Sequence, residues 1–332
     1  MSLPFLTLAD IYETAPWTVA IGALSSALSR DVEPEDDSPR LFSPSPEGEF
    51  LMMPGCGRRY SGVKVLTIAP DNPRQGLEKI QGTFLLFDSL TSAPLAALDG
   101  TALTAVRTPA TTLLAVKHIA SAPGARPLPT SPAVLVFGAG IQALNHVRAA
   151  HSIFPGATFK IVGRRKARVE SLLRELAAEG IDVSSGEPSC VADADIILCA
   201  TSSTVPLFDG ASPKAGSIVA AVGQHGLNAR EVDATLVKRS DVVVEGRAAA
   251  MREAGDLIPA RSAEEWKQIR PVNLKELVMG HFQRDPAKPC LYVSTGMAWE
   301  DLVLASLVYD RSPHGDATKP QNPSLAAEGQ DG

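Results

Sequence analysis

The chain has no cysteine pair. Its four cysteines, Cys56, Cys190, Cys199 and Cys290, are scattered through 332 residues with no C-x-x-C spacing, which argues against a disulfide scaffold or a dithiol motif. Its six histidines form no H-E-x-x-H or comparable spacing, so no metal site is expected. No stretch reaches the ~18 apolar residues of a membrane span; the richest, 103–120, is broken by Arg107, Pro109 and Lys117. There is no Lys/Arg-rich stripe or basic tail, and the formal charge is −6. Nucleic acid and membrane are therefore not expected partners, although a local pocket can still be basic. With no secretory hydrophobic region at its start, the chain reads as cytoplasmic.

What is present is core-forming material. Hydrophobic residues make up 45% of the sequence, and the length suits two domains or one large one.

The most informative stretch is Val134-Leu-Val-Phe137-Gly138-Ala139-Gly140-Ile141-Gln142-Ala143. A β-branched and aromatic run enters a glycine turn with a G-x-G-x-x-A pattern, and an amphipathic segment follows. A dinucleotide pyrophosphate needs a strand, a close-approach turn and a helix start. Gly138 allows the tight turn, Gly140 keeps a Cβ away from a phosphate, and Ala143 lets the helix lie close to the sheet. Unpaired N–H groups of the first turn then face the anion. A lone G-x-G is weak, since any tight strand–helix connection favours glycine. Here several strand–helix pairs follow it.

Residues 1–127 read differently. Thr7 caps a short helix, 19–28 forms another, and 31–40 is an acidic, proline-bearing loop. Strands are expected at 49–53, 61–67, 81–87 and 92–98. A helix is expected at 110–119, with Thr108 as cap and Pro109 in its first turn. Prolines and glycine in 121–132 mark a boundary. Strands at 133–137, 158–162, 195–199, 217–222 and 241–245, with helices at 141–151, 166–179 and 229–238, then give a βαβ rhythm. Beyond a helix at 273–279 and a strand at 290–294, a helix at 297–309 is expected to return to the first lobe. Residues 312–332 are weakly patterned and read as a disordered tail. The fold class is α/β: a Rossmann-type doubly wound parallel sheet (128–292) plus a discontinuous α+β lobe (1–127 with 293–311).

The second strand ends in Gly163-Arg164-Arg165-Lys166, with no acid before Glu170. An NAD site normally places Asp or Glu there for the ribose hydroxyl. Arg164 and Arg165 instead suit a 2′-phosphate, so NADPH is favoured over NADH; the alternative is a solvated basic helix start. Thr201 and Ser202 follow one strand and Val222 and Gly223 the next, where loops meet a cofactor or, more plainly, make ordinary turns. Lys64 lies in an apolar strand on the face of Gly62 and Leu66; it either snorkels at an edge or points into a cleft. Arg107, just before the expected helix start, could join helix N–H groups in holding a carboxylate, or be a surface arginine. Arg40, between Pro39 and Leu41, says little alone.

Together these segments resemble the ornithine cyclodeaminase/μ-crystallin family over about residues 40–305. The pieces are Ser61-Gly-Val-Lys64-Val65, Pro70-Asp-Asn-Pro73, Gln81-Gly-Thr-Phe-Leu-Leu-Phe-Asp88, Thr104-Ala-Val-Arg107-Thr108, Gly138 to Ala143 with His146, and Ser294-Thr-Gly296-Met-Ala-Trp-Glu-Asp301. The resemblance implies a homodimer with a Rossmann domain and a discontinuous substrate and dimerisation domain. It also implies that Arg40 and Arg107 hold a substrate α-carboxylate while Lys64 lies near the reacting carbon or nitrogen. Ornithine cyclodeaminases place an aspartate where this chain has Gly223-Gln224-His225, which sets it apart from them. Arg164 and Arg165 bring it closer to NADPH-dependent ketimine reductases. Pro109 stands where relatives usually carry a small residue.

The expectation is therefore reduction of a cyclic imine carboxylate of pyrroline-2-carboxylate or piperideine-2-carboxylate type. Lys64 or His225 would support proton delivery. The alternatives are an NADP-linked dehydrogenase aminating a 2-oxo acid, an ornithine cyclodeaminase, and a non-catalytic NADPH- or small-ligand-binding protein.

Overall fold

The computed structural model describes residues 3–223 and 226–315. Gln224 and His225, and most of the expected tail, lie outside that description. Among the described residues the strands form two sheets, of six and eight strands.

The first sheet is built from β1 (Phe5–Leu6), β2 (Leu41–Ser45), β3 (Gly48–Cys56), β4 (Tyr60–Ile68), β5 (Ile80–Asp88) and β6 (Pro94–Asp99), in the order β1-β6-β5-β4-β3-β2. Strands β2 to β6 pair antiparallel, whereas β1 joins β6 parallel. The short β1 and β2 carry no distinct alternation and were not legible in the sequence. Helices α1 (Leu8–Thr14) and α2 (Trp17–Arg30) follow β1. Thr7 and Asp10 form a reciprocal capping box at the start of α1.

The next helix, α3, runs Gly100–Ser121 and corrects the expected start at Pro109. Asp99 is the cap: its carboxylate accepts from Thr101 N at 3.0 Å and Ala102 N at 2.9 Å. Pro109 therefore lies inside the helix, where it removes one ladder bond. A side chain of another helix takes the carbonyl so freed, that of Ala105. Arg107 accordingly sits mid-helix, away from any free helix N–H groups.

The second sheet is wholly parallel. It comprises β7 (Ala133–Phe137), β8 (Thr158–Val162), β9 (Val183–Ser185), β10 (Ile196–Cys199), β11 (Ile218–Ala221), β12 (Asp241–Val244), β13 (Val272–Asn273) and β14 (Cys290–Val293). Their order is β13-β12-β14-β11-β10-β7-β8-β9. The intervening helices are α4 (Ile141–Ile153), α5 (Lys166–Ala178), α6 (Ala234–Arg239), α7 (Arg247–Glu253), α8 (Ala263–Ile269) and α9 (Leu274–Val278). Strands β7, β10, β11 and β14 read as continuous apolar runs because the central strands are buried on both faces. The chain winds outward from β7 to β9 and then crosses to β10 on the other side of β7. A doubly wound sheet receives ligands at such a reversal, at the carboxyl ends of its strands.

The expected helix at 229–238 is shorter, α6 alone. Asp233 caps it by accepting from Leu236 N. Before it, Glu231 N and Val232 N both donate to Asp256 Oδ1, at 2.6 and 2.9 Å.

After β14 the chain enters α10 (Ala298–Arg311), which packs on α2, α3, β3 and β4. The last turns of the second sheet thus lead straight into the helical layer of the first.

Candidate active site

The burial pattern of β4 alternates through Tyr60, Gly62, Lys64 and Leu66. That face meets α3 and α10. Lys64 is 1% exposed, so it does not snorkel at an edge. Its ammonium donates to Asp301 Oδ2 at 2.6 Å and to Thr104 Oγ1 at 3.2 Å. Arg107 sends Nη1 to Glu300 Oε2 at 2.9 Å, and its Nε lies 3.4 Å from Asp301 Oδ1. Four ionisable groups from three elements therefore meet in a water-poor volume.

Their proton balance follows from burial. Desolvation pushes Lys64 down to about 8, against the pull of Asp301. Desolvation also opposes charge on Arg107, but Asp301 and Glu300 outweigh it and its pKa rises. Glu300 moves well above the usual carboxylate range, first through burial and then through the neighbouring Glu245. Lys64 and Arg107 share Asp301, and Glu300 and Glu245 also act on Arg107. A buried ammonium and a buried guanidinium converging on one carboxylate can also accept the oxygens of an anionic ligand.

The segment 294–297 forms one wall. Gly296 has φ +77°, and a Cβ there would lie 2.7 Å from the Arg107 guanidinium, so a larger residue would be strained and would displace Arg107. Glu245, just after β12, accepts from Thr295 N at 3.1 Å, from Gly296 N at 2.8 Å and from Ser294 Oγ. Arg40 closes the same turn from the other side. Its Nη2 donates to Gly296 O at 2.6 Å and to Thr295 O, and its Nη1 lies 3.1 Å from Glu253 Oε2.

The acidic loop that delivers Arg40 also caps two helices. Asp37 accepts from Ala298 N and Trp299 N, both at 3.0 Å, and Glu35 accepts from Arg247 N and Ala248 N, both at 3.1 Å. Burial is the main cause that raises Asp37 to about 6.

The glycine turn lies at the carboxyl edge of β7. Gly138 has φ +126°, and a Cβ there would meet Ala200 O at 2.5 Å. Above Gly140 the space is open for 4 Å. Gly140 starts α4 without a side-chain cap, which leaves first-turn N–H groups available to an anion. This geometry fits a dinucleotide pyrophosphate. Ile141 is exposed at the same edge, and Ala139 packs beside Gly163. Arg164 and Arg165 are exposed after β8, and no ion pair involves either among the described residues.

The loops after β10 and β11 are joined by Glu231, which the sequence did not single out. Its Oε1 accepts from Thr201 N at 2.7 Å and Thr201 Oγ1 at 2.6 Å; its Oε2 accepts from Val222 N at 3.1 Å and Gly223 N at 2.8 Å. Burial pushes Glu231 up to about 7. Ser202, next to Thr201, is exposed.

The two halves meet at Thr104. Gln142 Nε2, in the first turn of α4, donates to Thr104 O at 3.3 Å, while Thr104 Oγ1 accepts from Lys64. A single residue thus touches both Gln142, beside the glycine turn, and the buried Lys64. Sequence reading brought Lys64, Arg107 and Arg40 forward. It missed Glu245, Glu253 and Asp37, and it quoted Glu300 and Asp301 without giving them a role. An acid inside an otherwise apolar stretch, as at Glu300 and Asp301, was the available signal.

The ornithine cyclodeaminase/mu-crystallin family model matches residues 4–316. The Delta(1)-pyrroline-2-carboxylate reductase 2 of Burkholderia ambifaria is 31% identical over 264 residues, covering 79% of this chain and 80% of that protein. The Delta(1)-pyrroline-2-carboxylate/Delta(1)-piperideine-2-carboxylate reductase of Azospirillum brasilense is 30% identical over 311 residues, covering 93% and 96%. Among solved structures, the Thermococcus litoralis Delta(1)-pyrroline-2-carboxylate reductase in complex with NADH and L-proline has a TM-score of 0.77 at 24% identity, covering 93% and 97%. That last likeness is one of fold.

Proposed function

The chain belongs to the ornithine cyclodeaminase/mu-crystallin family, and from that premise we propose that it reduces a cyclic imine bearing an adjacent carboxylate, of pyrroline-2-carboxylate or piperideine-2-carboxylate type, with NADPH. It is an oxidoreductase acting on carbon–nitrogen bonds. The observation that carries the substrate reading is the convergence of the buried Lys64 and Arg107 on Asp301, with Thr104 linking Lys64 to the glycine turn. The names of the two bacterial relatives support it.

In this reading the Gly138–Gln142 turn holds the pyrophosphate, and Arg164 and Arg165 hold the 2′-phosphate that distinguishes NADPH. Thr201, Ser202, Val222 and Gly223 border the rest of the cofactor, with Glu231 setting their loops. The bound cofactor supplies a hydride. Arg107 anchors the substrate carboxylate and so orients the ring. Arg40 completes the carboxylate site by turning Nη1 away from Glu253, which lies near the rim at 16% side-chain exposure. Lys64 lies at the C=N bond, where its ammonium stabilises charge and holds a proton for nitrogen. Overall the C=N bond gains one hydride at C2 and one proton at nitrogen, giving the cyclic amino acid. Orientation in this dry, charged pocket supplies much of the rate.

A homodimer is part of the proposal. The face of the first sheet opposite α3 and α10 carries Met52, Pro54, Val63, Val65, Leu85 and Phe87, all half-buried. Cross-strand registers align Pro54 with Val63 and Val63 with Leu85. A second copy would cover this apolar band, and Val65→Lys is expected to yield monomer in light scattering.

The deciding experiment is a turnover screen of pyrroline-2-carboxylate, piperideine-2-carboxylate, and 2-oxo acids with ammonia or amines, using NADPH and NADH. Ammonia-independent consumption of NADPH with a cyclic imine supports the reading. Turnover only of 2-oxo acids with ammonia, or ammonia release from ornithine, replaces it.

A further inference from the structure

Pro109 stands in the middle of α3 and has no N–H to give the carbonyl of Ala105, one turn earlier. That carbonyl is nevertheless satisfied. Asn145, fully buried on α4, donates Nδ2 to Ala105 O at 3.0 Å and to Tyr12 Oη at 2.8 Å. Its Oδ1 accepts from Arg148 Nη1 at 3.4 Å. One turn earlier on α4, Gln142 reaches Thr104 O. One residue later, His146 Nε2 lies 3.0 Å from Thr112 Oγ1. The part of α3 that carries Thr104 and Arg107 is therefore held, at the proline gap, by amides of α4. The same helix begins with the dinucleotide turn.

We propose that Asn145 is a positioning residue: it replaces the N–H that proline removes, registers the α3 turn bearing Thr104 and Arg107 against the dinucleotide-binding helix, and so sets the cations relative to the cofactor. The kinetic consequence rests on the reductase reading; the structural consequence does not. A side chain that merely filled space would serve stability alone. Asn145 instead connects the two helices that carry the two halves of the site, at the carbonyl only a proline leaves open.

The test is a double-mutant cycle of Asn145→Ala with Pro109→Ala. Alanine at 109 restores the N–H, so Ala105 O regains its helical partner. N145A is expected to lower kcat/KM for the cyclic imine about tenfold, mainly through the imine KM, while NADPH binding changes less than about twofold. Hydrogen exchange of the α3 amides before Pro109 should quicken. In the P109A background the same loss of Asn145 should cost less than about twofold, because the two changes share one carbonyl. Asn145→Ser serves in the same cycle if N145A does not fold.

Equal costs in both backgrounds would overturn the proposal, as would a lower Tm with unchanged kcat/KM per folded enzyme. If the unsubstituted protein turns over no imine, the reductase reading fails and the exchange data decide. Protection lost in N145A and regained in N145A/P109A supports the proposal; no difference between the variants overturns it.

Discussion

Lys64→Met separates what the buried charges do for the fold from what they do for the reaction. Methionine keeps an unbranched apolar stem as far as Cε and lacks the ammonium. Lys64 Nζ and Asp301 Oδ2 are 2.6 Å apart, with side-chain exposures of 1% and 0%. Removing one partner of such a pair costs about 3–5 kcal/mol, mostly because the other charge is left buried. Arg107 Nε remains 3.4 Å from the other Asp301 oxygen, which places the cost at the lower end, about 3 kcal/mol. At roughly 2 °C per kcal/mol the expected fall in Tm is roughly 6 °C by scanning fluorimetry. The double variant K64M/D301N removes the charge stranded at Asp301 but also a partner of Arg107, so it should regain only part of that Tm. Its kcat/KM, followed by NADPH absorbance, should stay down by about 100-fold, the scale of a lost proton-handling group. If K64M melts with the unsubstituted protein and keeps full kcat/KM, Lys64 neither holds Asp301 nor serves the reaction.

Stability and activity should respond to alkali in opposite directions. Lys64 titrates at about 8 when folded, against 10.5 unperturbed, so between those values the unfolded chain binds more protons and Lys64 makes stability rise with pH. Activity that needs the ammonium falls through about pH 8, and Lys64→Arg should remove that limb; a limb kept in K64R assigns it to another group. Replacing Arg164 and Arg165 by alanine should weaken NADPH binding roughly 10- to 100-fold in a fluorescence titration and leave NADH binding unchanged; an unaltered preference rejects the phosphate assignment. Glu231→Gln cannot accept all four donors that the carboxylate accepts, so cofactor affinity should drop about tenfold. Cofactor binding by the unsubstituted protein should also weaken below about pH 7, where Glu231 takes up a proton; identical pH profiles for the two proteins would contradict this.

Strong periodic signals were legible in the sequence. The bounds of β7 and β8 and the starts of α4 and α5 follow from apolar runs, the glycine turn and the Arg164-Arg165 helix entrance. Lys64 and Arg107 stood out as charges in apolar surroundings. The limits of α3 were not legible, because Pro109 is a strong local stop signal. A distant asparagine on α4 takes the carbonyl that Pro109 leaves open, and single-residue propensities do not contain that contact. Nor did the acidic loop 31–40 reveal its part. Charge and proline there read as solvated turn, yet Glu35 and Asp37 cap helices more than 200 residues later, and Arg40 closes the Gly296 turn. Glu231 is hidden for a similar reason: its four donors come from two loops that only the parallel order of β10 and β11 brings side by side.

The proposed reaction needs Lys64 and Arg107 to face a nicotinamide held by the second sheet. The most direct measurement is a crystal structure of the protein with NADP and L-proline. The expected structure has the proline carboxylate within roughly 2.7–3.2 Å of Arg107, Lys64 beside the ring nitrogen, and the ring carbon that bears the carboxylate stacked against the nicotinamide. A proline carboxylate bound elsewhere, with Lys64 and Arg107 still closed on Asp301 and Glu300, would contradict it.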